Sequence, residues 1–231
     1  MHIPDGSIGP QTYVTAYAAV APFWIAASRK LNRSLHSKQV PLMALSAAFC
    51  FVIMMFNIPT PFGPGHAVGA VLVAVLLGPW AACIAVSIAV IVQAVVFSDG
   101  GITCVGANCL NMAVIMPFVG YGVYRLVAGR SDATSRRRWV GAALGGYVGL
   151  NAAALAAAVM FGLQPMIGGH DAAGLPLYAP YSLKAALAGI GLGHIFVFGP
   201  VEAVMTGLVV RYIQKADPAL IHSAANGASE Q

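Results

Sequence analysis

Charge is what this sequence has least of. Asp, Glu, Lys and Arg together make up 8% of its 231 residues, where a soluble domain carries about 25%. So few charges cannot cover a water-facing surface, so a soluble enzyme is excluded. The net charge of +5 would otherwise suggest a nucleic-acid partner, but the cations sit between apolar runs rather than in a basic patch. Cysteine is scarce too: Cys50, Cys83, Cys104 and Cys109 are too few and too scattered for a disulfide scaffold, and Cys50 and Cys83 fall inside apolar runs, as small filler does. The opening MHIPDG lacks the basic and apolar regions of a signal peptide. No G-x-x-x-x-G-K-[ST] occurs, so ATP hydrolysis is not expected of this chain itself. What is abundant is hydrophobic residues, at 59%, collected in long runs. That pattern predicts an all-α polytopic membrane protein, multi-pass in the cytoplasmic (inner) membrane with the lipid bilayer as its solvent.

The runs are about 11–28, 40–57, 66–78, 79–97, 108–127, 139–163 and 182–212. A membrane-spanning helix needs about 20 residues, so the run at 66–78 is short. Charge argues that it crosses nonetheless. Arg29, Lys30, Arg33 and Lys38 follow the first run. Arg125, Arg130, Arg136, Arg137 and Arg138 flank the gap between the fifth and sixth, and Arg211 and Lys215 end the last. Seven spans, amino terminus outside and carboxyl terminus inside, put all of these on the cytoplasmic side, as the positive-inside rule requires, and leave Lys184 as the exception. The expected organisation is one transmembrane domain over 1–215, including an amino-terminal segment 1–10, and a polar, disordered tail over 216–231.

This topology brings His2 and His66 to the same side. A terminal amine, the amide nitrogen of residue 2 and the imidazole of His2 form two fused chelate rings, three nitrogens in one plane. Ni(II) and Cu(II) favour planar nitrogen ligation. His66 is the natural fourth ligand, and Pro4 stops a further amide from joining the plane. The plainer readings stay open: His2 as a bystander at the terminus, and His66 as an interfacial residue in contact with water.

Four blocks carry a resemblance to a known family: MHIPDG at the start, GHAVGAVLVAVLLGPWAA at 65–82, QAVVFSDGGITCVGANCLNMAVIMPFVGY at 93–121 and GHIFVFGPVEAVMTG at 193–207. In this order they resemble the CbiM/NikM family, the substrate-capturing membrane (S) components of energy-coupling-factor transporters for nickel and cobalt. The resemblance implies Ni(2+) or Co(2+) as transported substrate, with Met1, His2 and His66 as ligands. It implies as partners a transmembrane coupling (T) subunit, cytoplasmic ATPase (A) subunits and a small accessory membrane subunit. MHIPDG is closer to the nickel members than to the MHIMEG of the cobalt members.

Other residues are candidates for support. Glu202 and His194 lie inside the last run, where ionisable groups are costly and rarely face lipid. They are read as bracing the ion site or as a buried pair pinning the span. In a rival reading they are the proton relay of a secondary divalent-metal transporter. Asp5, Asp99, Asn108 and Asn111 gather on the His2 side. Asp99 opens a Gly-Gly turn, and Asn108 suits either a helix cap or a contact to the opening segment. Cys104 and Cys109 read as apolar filler, with a disulfide or a soft-metal contact as alternatives. His170 and Asp171 read as solvated. Gly141, Gly145, Gly149 and Ala153 form a small-residue stripe, read either as packing within the bundle or as a smooth face for the coupling subunit.

Overall fold

A computed structural model describes residues 2–34 and 39–221. Met1, Lys38 and the expected tail beyond 221 lie outside the described residues. The helices are α1 (Pro10–Ser34), α2 (Gln39–Met54), α3 (Ala70–Leu77), α4 (Pro79–Phe97), α5 (Val105–Ala128), α6 (Arg136–Gly162, followed by a single turn at Gln164–Ile167) and α7 (Leu183–Ala216). Among the described residues the only β pairing is two isolated bridges, Ile58 with Gly65 and His170 with Pro176. α4, α5, α6 with its added turn, and α7 are each long and apolar enough to cross a membrane. Their outward faces carry large apolar side chains: Leu126 is 82% exposed, Phe196 69% and Val96 65%. Such a surface suits lipid and not water.

The boundaries follow local chemistry. Pro79 starts α4, where its missing N–H costs nothing. Ser135 and Ser182 cap α6 and α7 through their hydroxyls. α5 is π-wound over Leu110–Ile115 and α7 over His194–Phe198. The second of these ends just before Pro200, which lacks the N–H that would continue the ladder. The wider turn aims His194 and Phe198 inward, both buried, and leaves Phe196 outside.

The short run at 66–78 proves to be only partly helical. α3 has only eight residues, a rise of roughly 12 Å. The residues before it, 66–69, are non-helical, and Gly69 turns the chain in the left-handed region at φ 76°. Gly78 alone links α3 to α4. Since α4 runs back to Phe97, the chain from His66 to Gly78 travels the length of the bundle. Residues Ala70 to Val75 are all buried, enclosed mainly by α4, α5 and α6.

α5 and α6 pack backbone to backbone. A Cβ on Gly145 would strike the Gly120 carbonyl oxygen, and one on Gly149 would approach the Met116 oxygen at 2.6 Å. The glycine stripe is thus consumed inside the bundle, and the reading of it as a free docking face is corrected. At the arginine-rich end, Arg138 is buried and donates to the Tyr124 hydroxyl at 3.0 Å and the Ser131 carbonyl at 3.1 Å. Gln214 ties α7 to the same loop through the Ser135 carbonyl at 3.0 Å. Past α7 the chain turns at Asp217 and buries Ile221 in the main core, so the first residues of the expected tail are packed. All four cysteines are free and buried, which excludes the Cys104–Cys109 disulfide.

Candidate functional site

The site forms where the amino-terminal segment folds back into the bundle. Ile3 and Ile8 are buried at 0% and 1% exposure, so the segment is anchored as core and not laid on the surface. Hydrogen bonds hold it in place. Asn108, inside α5 and not at its cap, accepts from the Ile3 N–H at 2.8 Å and donates to the Ile3 carbonyl at 3.1 Å. The Gly101 N–H donates to the same carbonyl at 3.0 Å. Asp5 accepts from the Thr103 hydroxyl and from the backbone N–H groups of Ile102 and Thr103. The Thr103 hydroxyl leads in holding this carboxyl below the usual range. The Cys104 thiol reaches the Pro4 carbonyl at 3.5 Å. Farther along, Gly9 donates to the buried Gln164 side chain at 2.8 Å, and Ala179 to the Ser7 carbonyl at 3.1 Å.

The loop after α4 is shaped to receive this segment. Ser98 ends α4 in the left-handed region, and Asp99, Gly100 and Gly101 follow. Gly100 has φ +81°, and a Cβ there would press on His2 at 3.1 Å. One on Gly101 would collide with Asp5. Both glycines are therefore required by close approach, and Gly100 by its backbone conformation as well.

His66 arrives from the other side. A small hairpin, closed by Ile58 and Gly65 at 2.7 and 3.2 Å, sets Gly65 beneath the Phe198 ring and His66 against His2. The two imidazole centroids are 4.9 Å apart. Below His66, Glu202 accepts from the Val68 N–H at 2.7 Å, the Gly69 N–H at 3.1 Å and the Thr206 hydroxyl at 3.2 Å. It thereby satisfies free amides at the start of the half-helix α3, the position where an acidic group is favoured. Glu202 is thus the anchor of the His66 loop.

The hydrogen bonds determine which nitrogen of each histidine is bare. His66 Nδ1 lies 3.0 Å from the Ala67 carbonyl, so Nδ1 carries the proton and Nε2 keeps its lone pair. The Gln93 amide nitrogen faces the Phe51 carbonyl at 3.5 Å and the Met55 sulfur at 3.7 Å, which leaves its oxygen for His2 Nε2 at 3.2 Å. His2 Nε2 then donates, and Nδ1 is bare. Burial pushes the His2 imidazole from 6.5 down to about 4, so it is neutral at ordinary pH. The two bare nitrogens, His2 Nδ1 and His66 Nε2, face each other at 3.2 Å. Two lone pairs so placed repel unless a cation lies between them. Ligands about 2 Å from one ion at a right angle are separated by about 2.8 Å, close to what is found. Asp99 adds negative charge 3.6 Å from His2 Nδ1. Each histidine gives its second nitrogen to an oxygen acceptor, the usual arrangement of metal-binding imidazoles.

The remaining candidates divide. His194 donates through Nδ1 to the Ile190 carbonyl at 2.7 Å and lines a cavity that also touches His2. Asn111 does not reach the opening segment among the described residues; its amide nitrogen lies 3.7 Å from the Met160 sulfur. His170 and Asp171 are exposed. Among the described residues no three His, Cys, Asp or Glu side chains converge at metal-ligand spacing, so any further ligand to the histidine pair comes from the main chain or from outside these side chains. Gln93 and Gln164, both fully buried, were not singled out in the sequence. For Gln93 the signal was an uncharged amide inside an apolar run, whereas Gln164 directly follows one.

Comparison with known proteins identifies the family. The family CbiM, described as the cobalt uptake substrate-specific transmembrane region, matches residues 2–220. The chain is 52% identical over 222 residues to the fused nickel transport protein NikMN of Rhodobacter capsulatus, covering 96% of this chain and 64% of that protein. It is 44% identical over 225 residues to the probable fused nickel transport protein LarMN of Lactiplantibacillus plantarum, covering 94% and 66%. It thus spans about two thirds of the length of these fused relatives. The putative metal transport protein MJ1569 of Methanocaldococcus jannaschii is 42% identical, with 96% of each chain covered. A crystal structure of a truncated transition metal transporter, 49% identical, matches with a TM-score of 0.87 over 94% of this chain and 99% of that one. With a family match over nearly its whole length and this likeness in three dimensions, the chain belongs to the CbiM family of substrate-specific transmembrane regions.

Proposed function

We propose that this chain captures a divalent transition-metal ion, Ni(II) in preference to Co(II), and delivers it across the cytoplasmic membrane. It does so as the substrate-specific subunit of an ATP-driven energy-coupling-factor transporter. The ion sits in a plane of four nitrogens: the Met1 amine, the His2 amide, His2 Nδ1 and His66 Nε2. The observation that carries this reading is the pair of bare imidazole nitrogens held face to face at 3.2 Å. The planar field selects against ions that prefer tetrahedral or octahedral surroundings. Pulling the opening segment away from His66, or returning a proton to the amide, breaks the plane and releases the ion.

In this reading the bundle crosses seven times, with the amino terminus outside and the arginine-rich end in the cytoplasm. The path of 66–77, a non-helical stretch followed by a half-helix, supports that count. A coupling subunit, ATPase subunits and a small accessory membrane subunit complete the transporter, as the family resemblance implies. The names of the relatives, fused nickel transport proteins and cobalt transport proteins, support both metals as substrates. The proton-coupled alternative asks Glu202 and His194 to relay protons. Glu202 instead engages both oxygens with backbone amides and Thr206, which favours an anchoring role.

The test is titration of Ni(II) and Co(II) into purified protein with the native Met1 amine and into a form with one residue added before it. Calorimetry reads affinity, and visible absorption reads planar nitrogen ligation. Loss of tight binding and of the planar band in the extended form is expected. Equal binding by both forms overturns the chelate.

A further inference from the structure

Asp99 stands where water meets the histidine pair. It lies in the loop after α4 that covers His2: a Cβ on its neighbour Gly100 would press on the His2 ring at 3.1 Å. His66, Gln93 and Asn108, which surround His2, are buried, and the His2 side chain itself is 6% exposed. The Asp99 side chain is 31% exposed. It is thus the polar group that reaches from solvent to His2 Nδ1, 3.6 Å away.

The turn does not need this carboxylate. Ser98 and Gly100 make it in the left-handed region, and the Asp99 N–H secures it by donating to the Gln93 carbonyl at 3.1 Å. Among the described residues the Asp99 carboxylate accepts no hydrogen bond. The other acids at this end of the bundle are occupied. Asp5 accepts from Ile102 and Thr103. Asp171 accepts from the Ala173 and Leu175 N–H groups of its own loop, each at 2.9 Å. Glu202 is fully buried and bound to Val68, Gly69 and Thr206. Asp99 alone offers an open carboxylate, and it does so beside the bare nitrogen of His2. Electron-rich atoms so gathered favour a cation among them.

We propose that Asp99 is the entry residue of the site. Its carboxylate draws a hydrated divalent transition-metal ion to the mouth and holds it through metal-bound water until His2 and His66 take it. Hydrogen bonds from such water to a carboxylate are charge-assisted. A hard oxygen competes poorly with imidazole for Ni(II), so the ion passes inward. A doubly charged ion about 5 Å from one carboxylate is attracted strongly enough in water to arrive about tenfold faster. Asp99 is a positioning residue and stays outside the four-nitrogen plane. This inference rests on the reading that His2 and His66 hold the ion.

Rapid mixing of Ni(II) with the purified full chain in uncharged detergent, followed by absorbance at the planar band, tests it. Wild type, Asp99→Asn, Asp99→Glu and Asp171→Asn are compared at low and high salt. All four should reach the same band at saturation. At low salt, association should slow by about tenfold in Asp99→Asn. Asp99→Glu, which keeps the charge, and Asp171→Asn, whose charge lies in another loop, should stay close to the wild-type rate. At ~1 M salt, where charges are screened beyond about 3 Å, wild type should slow to the rate of Asp99→Asn. Dissociation into excess chelator should change less than association, as for other charges that steer. Equal low-salt rates in wild type and Asp99→Asn overturn the inference and leave the four-nitrogen site standing. A slowing that persists unchanged at high salt, or that Asp99→Glu or Asp171→Asn shares in full, also overturns it. Loss of the band in Asp99→Asn alone makes Asp99 a ligand and not an entry residue. Absence of the band in wild type overturns the site and the entry role together. If Asp99→Asn does not fold, wild type decides alone: association that does not slow with salt overturns the inference.

Discussion

Replacing Glu202 tests how the bundle holds His66 in place. The side chain is fully buried and satisfies the amides of Val68 and Gly69 two and three residues after His66. In Glu202→Ala both amides lose their acceptor where no water replaces it. At ~1–3 kcal/mol for each unsatisfied buried donor, the loss is roughly 2–6 kcal/mol. Glu202→Gln with its oxygen at the Oε2 position still accepts from Val68 at 2.7 Å and Gly69 at 3.2 Å, so a smaller loss of ~1 kcal/mol is expected. Thr206→Val removes one bond of 3.2 Å and should cost ~1 kcal/mol. Because the freed loop carries His66, Ni(II) affinity should fall by about 10–100-fold in Glu202→Ala, as for other groups that orient a ligand. Thermal unfolding in detergent, followed by tryptophan fluorescence, reads the first effect, and calorimetric titration the second. Were Glu202 a proton carrier instead, Glu202→Gln would stop uptake while leaving melting and affinity untouched. A Glu202→Ala protein that melts with wild type and binds Ni(II) equally would refute the anchoring argument.

Three further outcomes are expected. His66→Ala should abolish the planar band while leaving the fold intact, because His66 bonds only its neighbour Ala67 and His2; a retained band would remove His66 from the ligand set. Gly145→Ala should destabilise by ~1–3 kcal/mol through overpacking against Gly120, whereas Gly122→Ala, with nothing within 4 Å, should be neutral in the same melt. Metal-free protein should lose stability as pH falls from 6.5 toward about 4, since His2 takes up its proton in the unfolded chain before it does in the folded one. Melting temperature against pH, with His2→Ala as reference, checks this, and a flat difference between the two across that window would refute it.

Hydropathy and loop charge alone made the membrane class, the run boundaries and the shared side of His2 and His66 legible, because each depends on composition along the chain. Pro79 marked the start of α4 from its own covalent geometry. The MHIPDG opening suggested the planar chelate of the proposed function, since that chemistry belongs to neighbouring atoms of one segment. What required the tertiary structure was anything decided between segments. An apolar run reads the same whether extended or helical, so the half-helix at Ala70–Leu77 could not be separated from a short span. Which amides it left free, and that Glu202 answers them from more than 130 residues away, followed only from packing. Gln93 fixes the His2 tautomer and Asn108 grips Ile3, yet an amide in an apolar run has no direction until its neighbours are in place. The unpartnered nitrogen of His194 likewise became visible only once the π-turn had turned the ring into the protein interior. Periodicity along the chain determines what a residue is beside on its own helix, and close packing between helices determines what it can bind.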